Sequence, residues 1–117
     1  MAKTLVVLND APYGTERSYN ALRLASALSK RDGEHVRIFL LGDAAGCAKA
    51  NQKVPHGYYN VEVMLHSATR HGAELGVCGT CMDARGLGDS DLTAAARRST
   101  LEELADWTLW ADRVVVF

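Results

Sequence analysis

Apolar residues in this chain gather into short, nearly continuous runs separated by longer stretches of helical spacing. The runs are KTLVVLN at 3–9, HVRIFLLG at 35–42, AELGVC at 73–78 and DRVVVF at 112–117. Runs of this length, rich in β-branched residues, suit strands covered on both faces. Between the first two, residues 15–33 place Ala21, Leu22, Ala25 and Leu28 on one helical face. Arg17, Arg23, Lys30 and Arg31 suit the wet side, and Gly33 is placed to end the helix. Residues 43–52 read as a loop with a short helix, and KVPHG at 53–57 reads as a break. Residues 58–72 bring Val61, Met64, Leu65 and Ala68 to one face, with Gly72 at the end. Residues 79–91, rich in glycine and aspartate, predict a loop, while 92–99 fit either a helical turn or a short fourth strand. Residues 99–111 predict a helix, capped by Ser99 or Thr100 with Glu102 or Glu103 completing a capping box.

Strands alternating with helices predict an α/β fold, a parallel sheet between helical layers, in one domain over residues 1–117. In such sheets ligands gather beyond the carboxyl ends of the strands. The loops there are 9–14, 42–47 and 78–86, so Cys47, Cys78 and Cys81 are expected on one rim.

Composition narrows the partners. The chain has 117 residues, enough to bury roughly 65% of its unfolded surface without metal or disulfide staples. A net charge of −1 argues against a polyanion-binding surface, so neither nucleic acid nor an anionic membrane is expected as a partner. No apolar run approaches the roughly 20 residues of a membrane span. The opening MAKTLVVLND lacks the long apolar stretch and cleavage site of a signal peptide. These features predict a cytoplasmic protein whose three cysteines are reduced thiols.

The chemistry concentrates in VCGTCMDARG, residues 77–86. A structural metal site needs four ligands, and no second CxxC supplies the other pair; Cys47 is a possible ligand, but His66 and His71, five apart, match helical pairing poorly, so no metal is expected. A thioredoxin-like dithiol needs a helix after the CxxC, and Gly86 and Gly88 leave room for at most one helical turn. Cys78 could be no more than a buried strand end. A persulfide carrier uses more of the stretch. Cys78 would be the exposed thiolate at a strand end, Gly79 and Thr80 could turn amides inward, and Arg85 could supply positive charge. Cys81 would assist or resolve, and Cys47 is a minor candidate.

Other features carry less. The loop NDAPYGTERS precedes a helix N-terminus, a natural place for an anion. GLGDSD lacks the full dinucleotide pattern, and no cofactor is expected. Trp107 and Trp110, three apart, suit core packing more than a subunit contact. His56, Tyr58 and Tyr59 could line the rim or a plain loop.

CGTCMDARG after a short strand resembles the DsrE/DsrF-like family. LVVLND, ALRLASALSKRDG, VRIFLLGDA and LEELADWTLWADRVVVF extend the resemblance over nearly the whole chain. That resemblance implies a three-layer α/β/α sandwich with a mainly parallel five-stranded sheet. It implies a homo-oligomer, often trimeric or hexameric, or a hetero-oligomer with paralogues. It also implies sulfur carried on a cysteine of this loop, at the position of Cys78, between donor and acceptor proteins. The resulting expectation is a sulfur-relay protein, carrier or sulfurtransferase, working through Cys78 with Cys81 and Arg85. The alternatives are an oligomeric small-ligand-binding or regulatory module and a dithiol redox sensor.

Overall fold

Strands β1 (Lys3–Leu8), β2 (His35–Leu40), β3 (Glu74–Cys78), β4 (Arg97–Ser99) and β5 (Arg113–Val116) pair in parallel throughout, in the order β4-β3-β2-β1-β5. This is the architecture in a computed structural model that describes residues 2–117. The first four strands are laid down in sequence to one side of β1, and β5 returns to its other side. All the β-branched runs become strands, and the ambiguous segment 92–99 contributes β4, a three-residue edge strand.

Alternation along each strand sends side chains to two different layers. Val6, Leu8, Ile38, Leu40, Leu75 and Val77 join α1 (Arg17–Ser29), α2 (Val61–Arg70) and a 3₁₀ helix, Gly42–Ala48, in one apolar cluster. Leu5, Val7, Phe39 and Cys78 belong to a second cluster, built with Trp107 of α4 (Leu101–Trp110). The fold is therefore an α/β/α sandwich with unequal layers. Trp107 is the sole fully buried residue that α4 contributes. Its ring meets Phe39 edge to face, centroids 5.9 Å apart. Trp110 lies at the margin, with the Arg37 guanidinium 4.0 Å from its ring centre.

Two sequence expectations are corrected. The first helix ends at Ser29, not at Gly33. The Arg31 amide bonds the Leu28 carbonyl and tightens the last turn, because the chain must come round to pair His35 with Lys3. Gly33 serves that later turn, at φ 78°. The second correction is at 79–91, which is not all loop. Residues Gly79–Ala84 form a helix, α3, and Asp89–Asp91 a 3₁₀ turn. Gly86, at φ 68°, ends α3 in a Schellman motif. The Leu87 amide bonds the Met82 carbonyl and the Gly86 amide bonds the Asp83 carbonyl. Met82 is wholly buried and Leu87 packs on the same cluster, so the apolar contact of that motif fixes α3 to the sheet. The second strand-crossing helix starts as a capped helix should, with the Asn60 side chain accepting from the Val63 amide. Among the described residues no helix is long and apolar enough to cross a membrane.

Candidate functional site

Parallel strands followed by helices put strand ends and helix starts on the same rim. Cys78 is both the last residue of β3 and the N-cap of α3. Its register partner on β4 is Ser99, and Thr100, next along, caps α4 by accepting from the Glu103 amide at 3.1 Å. Two helix starts therefore converge beside one thiol. Between them lies a cleft of about 210 Å³, with Cys78, Gly79 and Thr80 on one side and Arg98 to Glu102 on the other. Amides of a first helical turn have no acceptor within their own helix, and the positive end of α4's dipole faces the same space.

The three cysteines share the rim, as their strand positions predict, but not one environment. Cys78 is 5% exposed, the floor of the cleft and not the exposed thiol the carrier reading expects. Burial pushes its thiol up. The Cys81 thiol, the Thr80 hydroxyl (3.3 Å) and the amides of Cys81 and Thr80 outweigh that and hold it below the ordinary thiol value. Cys81 lies on α3, not in a loop, and is half-buried. Burial and its hydrogen bond to Cys78 push it up, against the Gly42 amide, which donates to its sulfur at 3.1 Å. Cys47 is fully buried, with its sulfur 3.8 Å from the Asp10 carbonyl, and burial pushes its thiol up to about 11. It stands apart from the cleft.

Arg85 does not serve Cys78. Its guanidinium pairs with Asp43 at 2.8 Å and donates to the Cys81 carbonyl at 3.0 Å, so its charge favours the Cys81 thiolate. The cation in the Cys78 cleft is Arg98, held in a bidentate pair with Asp83 at 2.7 and 2.9 Å. Sequence reasoning misses it because β4 lies twenty positions downstream. A usable signal was present in ARRS, since a strand after 92 brings one of its arginines beside the end of β3.

Gly79 makes that arrangement fit. A Cβ built at Gly79 would lie 2.8 Å from Arg98 Nε and 3.0 Å from its Cζ. Gly79→Ala is therefore expected to displace the guanidinium while leaving α3 folded, because alanine is the better helix former by roughly 1 kcal/mol. The alkylation rate of Cys78 at neutral pH should fall several-fold, with no loss in urea midpoint. An unchanged rate would remove Arg98 from the site.

A larger cavity, about 420 Å³, opens at the opposite rim beside Lys3, His35 and Trp110. Its Arg37 and Glu74 pair with each other and its Glu34 with Arg113, and it holds no thiol. Among the described residues no three His, Cys, Asp or Glu side chains come together as a metal-ligand set. His56 and Tyr58 are exposed, and Tyr59 packs at a tilt against Tyr19, centroids 4.4 Å apart, and does not line the Cys78 cleft.

The model of the DsrE/DsrF-like family matches residues 2–117. Protein YchN of Escherichia coli (strain K12) is 41% identical over the whole of both chains. Its crystal structure covers both chains fully and superposes with a TM-score of 0.93. An uncharacterized protein of Methanocaldococcus jannaschii is 39% identical over 98% of this chain and 99% of its own. A protein of unknown function from Methanobacterium thermoautotrophicum superposes with a TM-score of 0.80 over both chains at 8% identity, a match of fold alone.

Proposed function

The chain belongs to the DsrE/DsrF-like family, and from that premise we propose that it is a sulfur-relay protein carrying sulfane sulfur as a persulfide on Cys78. The observation that supports this most is the Cys78 thiol at the floor of a polar cleft shared with Arg98, held below the ordinary thiol value, against its burial, by hydrogen bonds from the Cys81 thiol, the Thr80 hydroxyl and their amides. The Cys78 thiolate attacks the sulfane sulfur of a donor. A new S–S bond forms at Cys78 Sγ, and the donor's bond to that sulfur breaks with its electron pair. An acceptor thiolate then takes the outer sulfur and returns Cys78 as thiolate. No net oxidation occurs in either step. The depth of Cys78 suits this division. The inner sulfur stays buried while the outer one, about 2 Å farther along, stands in the cleft. The partners proposed are donor and acceptor proteins able to reach into that cleft.

Loading tests the reading. Reduced protein incubated with cysteine and a cysteine desulfurase, or with thiosulfate and a sulfurtransferase, should gain ~32 Da on the peptide holding Cys78 and lose it to reductant. No addition from any donor would leave a ligand-binding module as the better reading.

We propose also that the working form is a homo-oligomer, a trimer or hexamer. Leu101 and Leu109 of α4 and Val114 and Val116 of the edge strand β5 are exposed at 63%, 86%, 41% and 64%. Leu101 also borders the Cys78 cleft, so a neighbouring copy would abut the site. Sedimentation at micromolar concentration should show several times the 12.7 kDa chain mass; a purely monomeric profile would overturn it.

A further inference from the structure

We propose that Cys81 discharges the Cys78 persulfide as hydrosulfide by closing a Cys78–Cys81 disulfide, which makes this site a persulfide reductase as well as a carrier. The inference rests on the carrier reading of Cys78 and adds a second fate for the same sulfur.

Position comes first. Cys78 caps α3 and Cys81 is its third helical residue. Residues three apart on a helix share a face, with Cβ atoms about 5–6 Å apart, so closing a disulfide requires the two Cβ atoms to approach by about 1–2 Å. Both side chains pack in the Trp107 cluster, Cys78 as a buried member and Cys81 as a partly buried one. Cys47, against the Asp10 carbonyl, has no such approach.

The direction of approach then selects the bond that breaks. The cleft that receives the outer sulfur is lined by Cys78, Gly79, Thr80 and the Arg98–Glu102 segment, and Cys81 is not among its walls. A Cys81 sulfur that closes on Cys78 from outside the cleft leaves the outer sulfur on the far side of Cys78 Sγ, the in-line arrangement that displacement at sulfur requires. Two contacts offset part of the burial that holds the Cys81 thiol above the ordinary value. Gly42 donates its amide to Cys81 Sγ, and Arg85, braced by Asp43, donates to the Cys81 carbonyl and places its charge there.

The step balances. Cys81 Sγ, as thiolate, bonds to Cys78 Sγ. The bond from Cys78 Sγ to the outer sulfur breaks, and its electron pair leaves with that sulfur as hydrosulfide. The sulfane sulfur is reduced by two electrons, and the two cysteine sulfurs together lose two. A dithiol reductant must then reopen the disulfide before another cycle. An acceptor thiolate that reaches the outer sulfur first gives transfer instead, without oxidation of either cysteine.

Full-length reduced protein loaded with sodium tetrasulfide and rapidly desalted provides the test, followed by intact mass, peptide mapping and hydrosulfide release. In the wild type the ~32 Da adduct should give way to a species about 2 Da lighter than the reduced chain, with one hydrosulfide released for each bridge formed. In Cys81→Ser the adduct on the Cys78 peptide should last at least about tenfold longer, with no lighter species. Equal adduct lifetimes in the two proteins would overturn the discharge and leave the carrier reading standing. Absence of the adduct in Cys81→Ser, together with no bridged product in the wild type, would sink the carrier reading and this inference with it. Diamide supplies a check independent of loading: it should bridge Cys78 to Cys81 in the folded wild type, and failure to do so would overturn the proposal.

Discussion

Trp107→Ala is expected to cost about 3–5 kcal/mol, the range for removing a large aromatic from a core. That is a large share of the roughly 5–15 kcal/mol that holds a small domain folded. The reason lies in the unequal layers. The cluster of α1 and α2 is built from many aliphatic side chains, so loss of one leaves the others in contact. On the other face α4 buries Trp107 alone, with Leu104 and Ala111 only partly covered against the same cluster. Its ring tip also closes on Gly76, where a built Cβ would lie 3.3 Å from it, so the β3 residue beneath the ring tip has no side chain to fill the space left behind. The urea midpoint should fall sharply, and amide exchange should rise through Leu101–Trp110 before it rises in β1 and β2. A loss under about 1 kcal/mol, with α4 exchange unchanged, would show that the helix is held by something other than Trp107.

The sheet was legible because its strands are written locally. TLVVL, VRIFLL and RVVV need no knowledge of their neighbours to be read as strands, and their parallel order follows from the helices between them. The ends of elements were less legible because tertiary demands set them. Nothing local in SKRDG says that the helix must stop at Ser29; the pairing of His35 with Lys3 does. In GTCMDARG the two glycines act differently. Gly79 is tolerated as the first helical residue beside Arg98, and Gly86 is the stop. Reading both as loop residues hides α3, and with it the fact that Cys78 is an N-cap and Cys81 lies one turn beyond it.

The candidate site divides in the same way. Cys78 could be placed from sequence, since it ends an apolar run at the carboxyl rim. Its cation could not. Arg85 is near in sequence, but the Asp43 carboxylate draws it to the 3₁₀ helix. Arg98 is far in sequence, and the register of Ser99 against Cys78 brings it near. Depth was also unreadable. The same strand end could have been a surface thiol, and it is α4, docked through Trp107 across Phe39 from the sheet, that makes it the floor of a cleft.

Cys78→Ser is expected to abolish sulfur loading, lowering the ~32 Da adduct to background, while Cys47→Ser leaves it at the wild-type level. Serine is close to cysteine in size, so the Cys78 variant should keep its fold, and the loss would belong to the missing nucleophile. Cys47 is excluded by its surroundings. With its thiol at about 11, only about one molecule in ten thousand carries the Cys47 thiolate at pH 7. Cys78 differs in sign, since the hydrogen bonds from Cys81, Thr80 and the first α3 amides favour its charged form over the cost of burial. The thiolate is the reactive species, so the wild-type loading rate should rise with pH and level off below the pH at which an ordinary thiol does. Cys81→Ala removes one of those donors and should move that levelling upward while the adduct still forms. Loading of Cys78→Ser at the wild-type rate, or a rate that climbs through the ordinary thiol range without levelling, would refute Cys78 as the carrier. The same rate profile measured after Cys47→Ser should coincide with the wild type, because the buried thiol behind Asp10 takes no part in either the charge or the reach of the cleft.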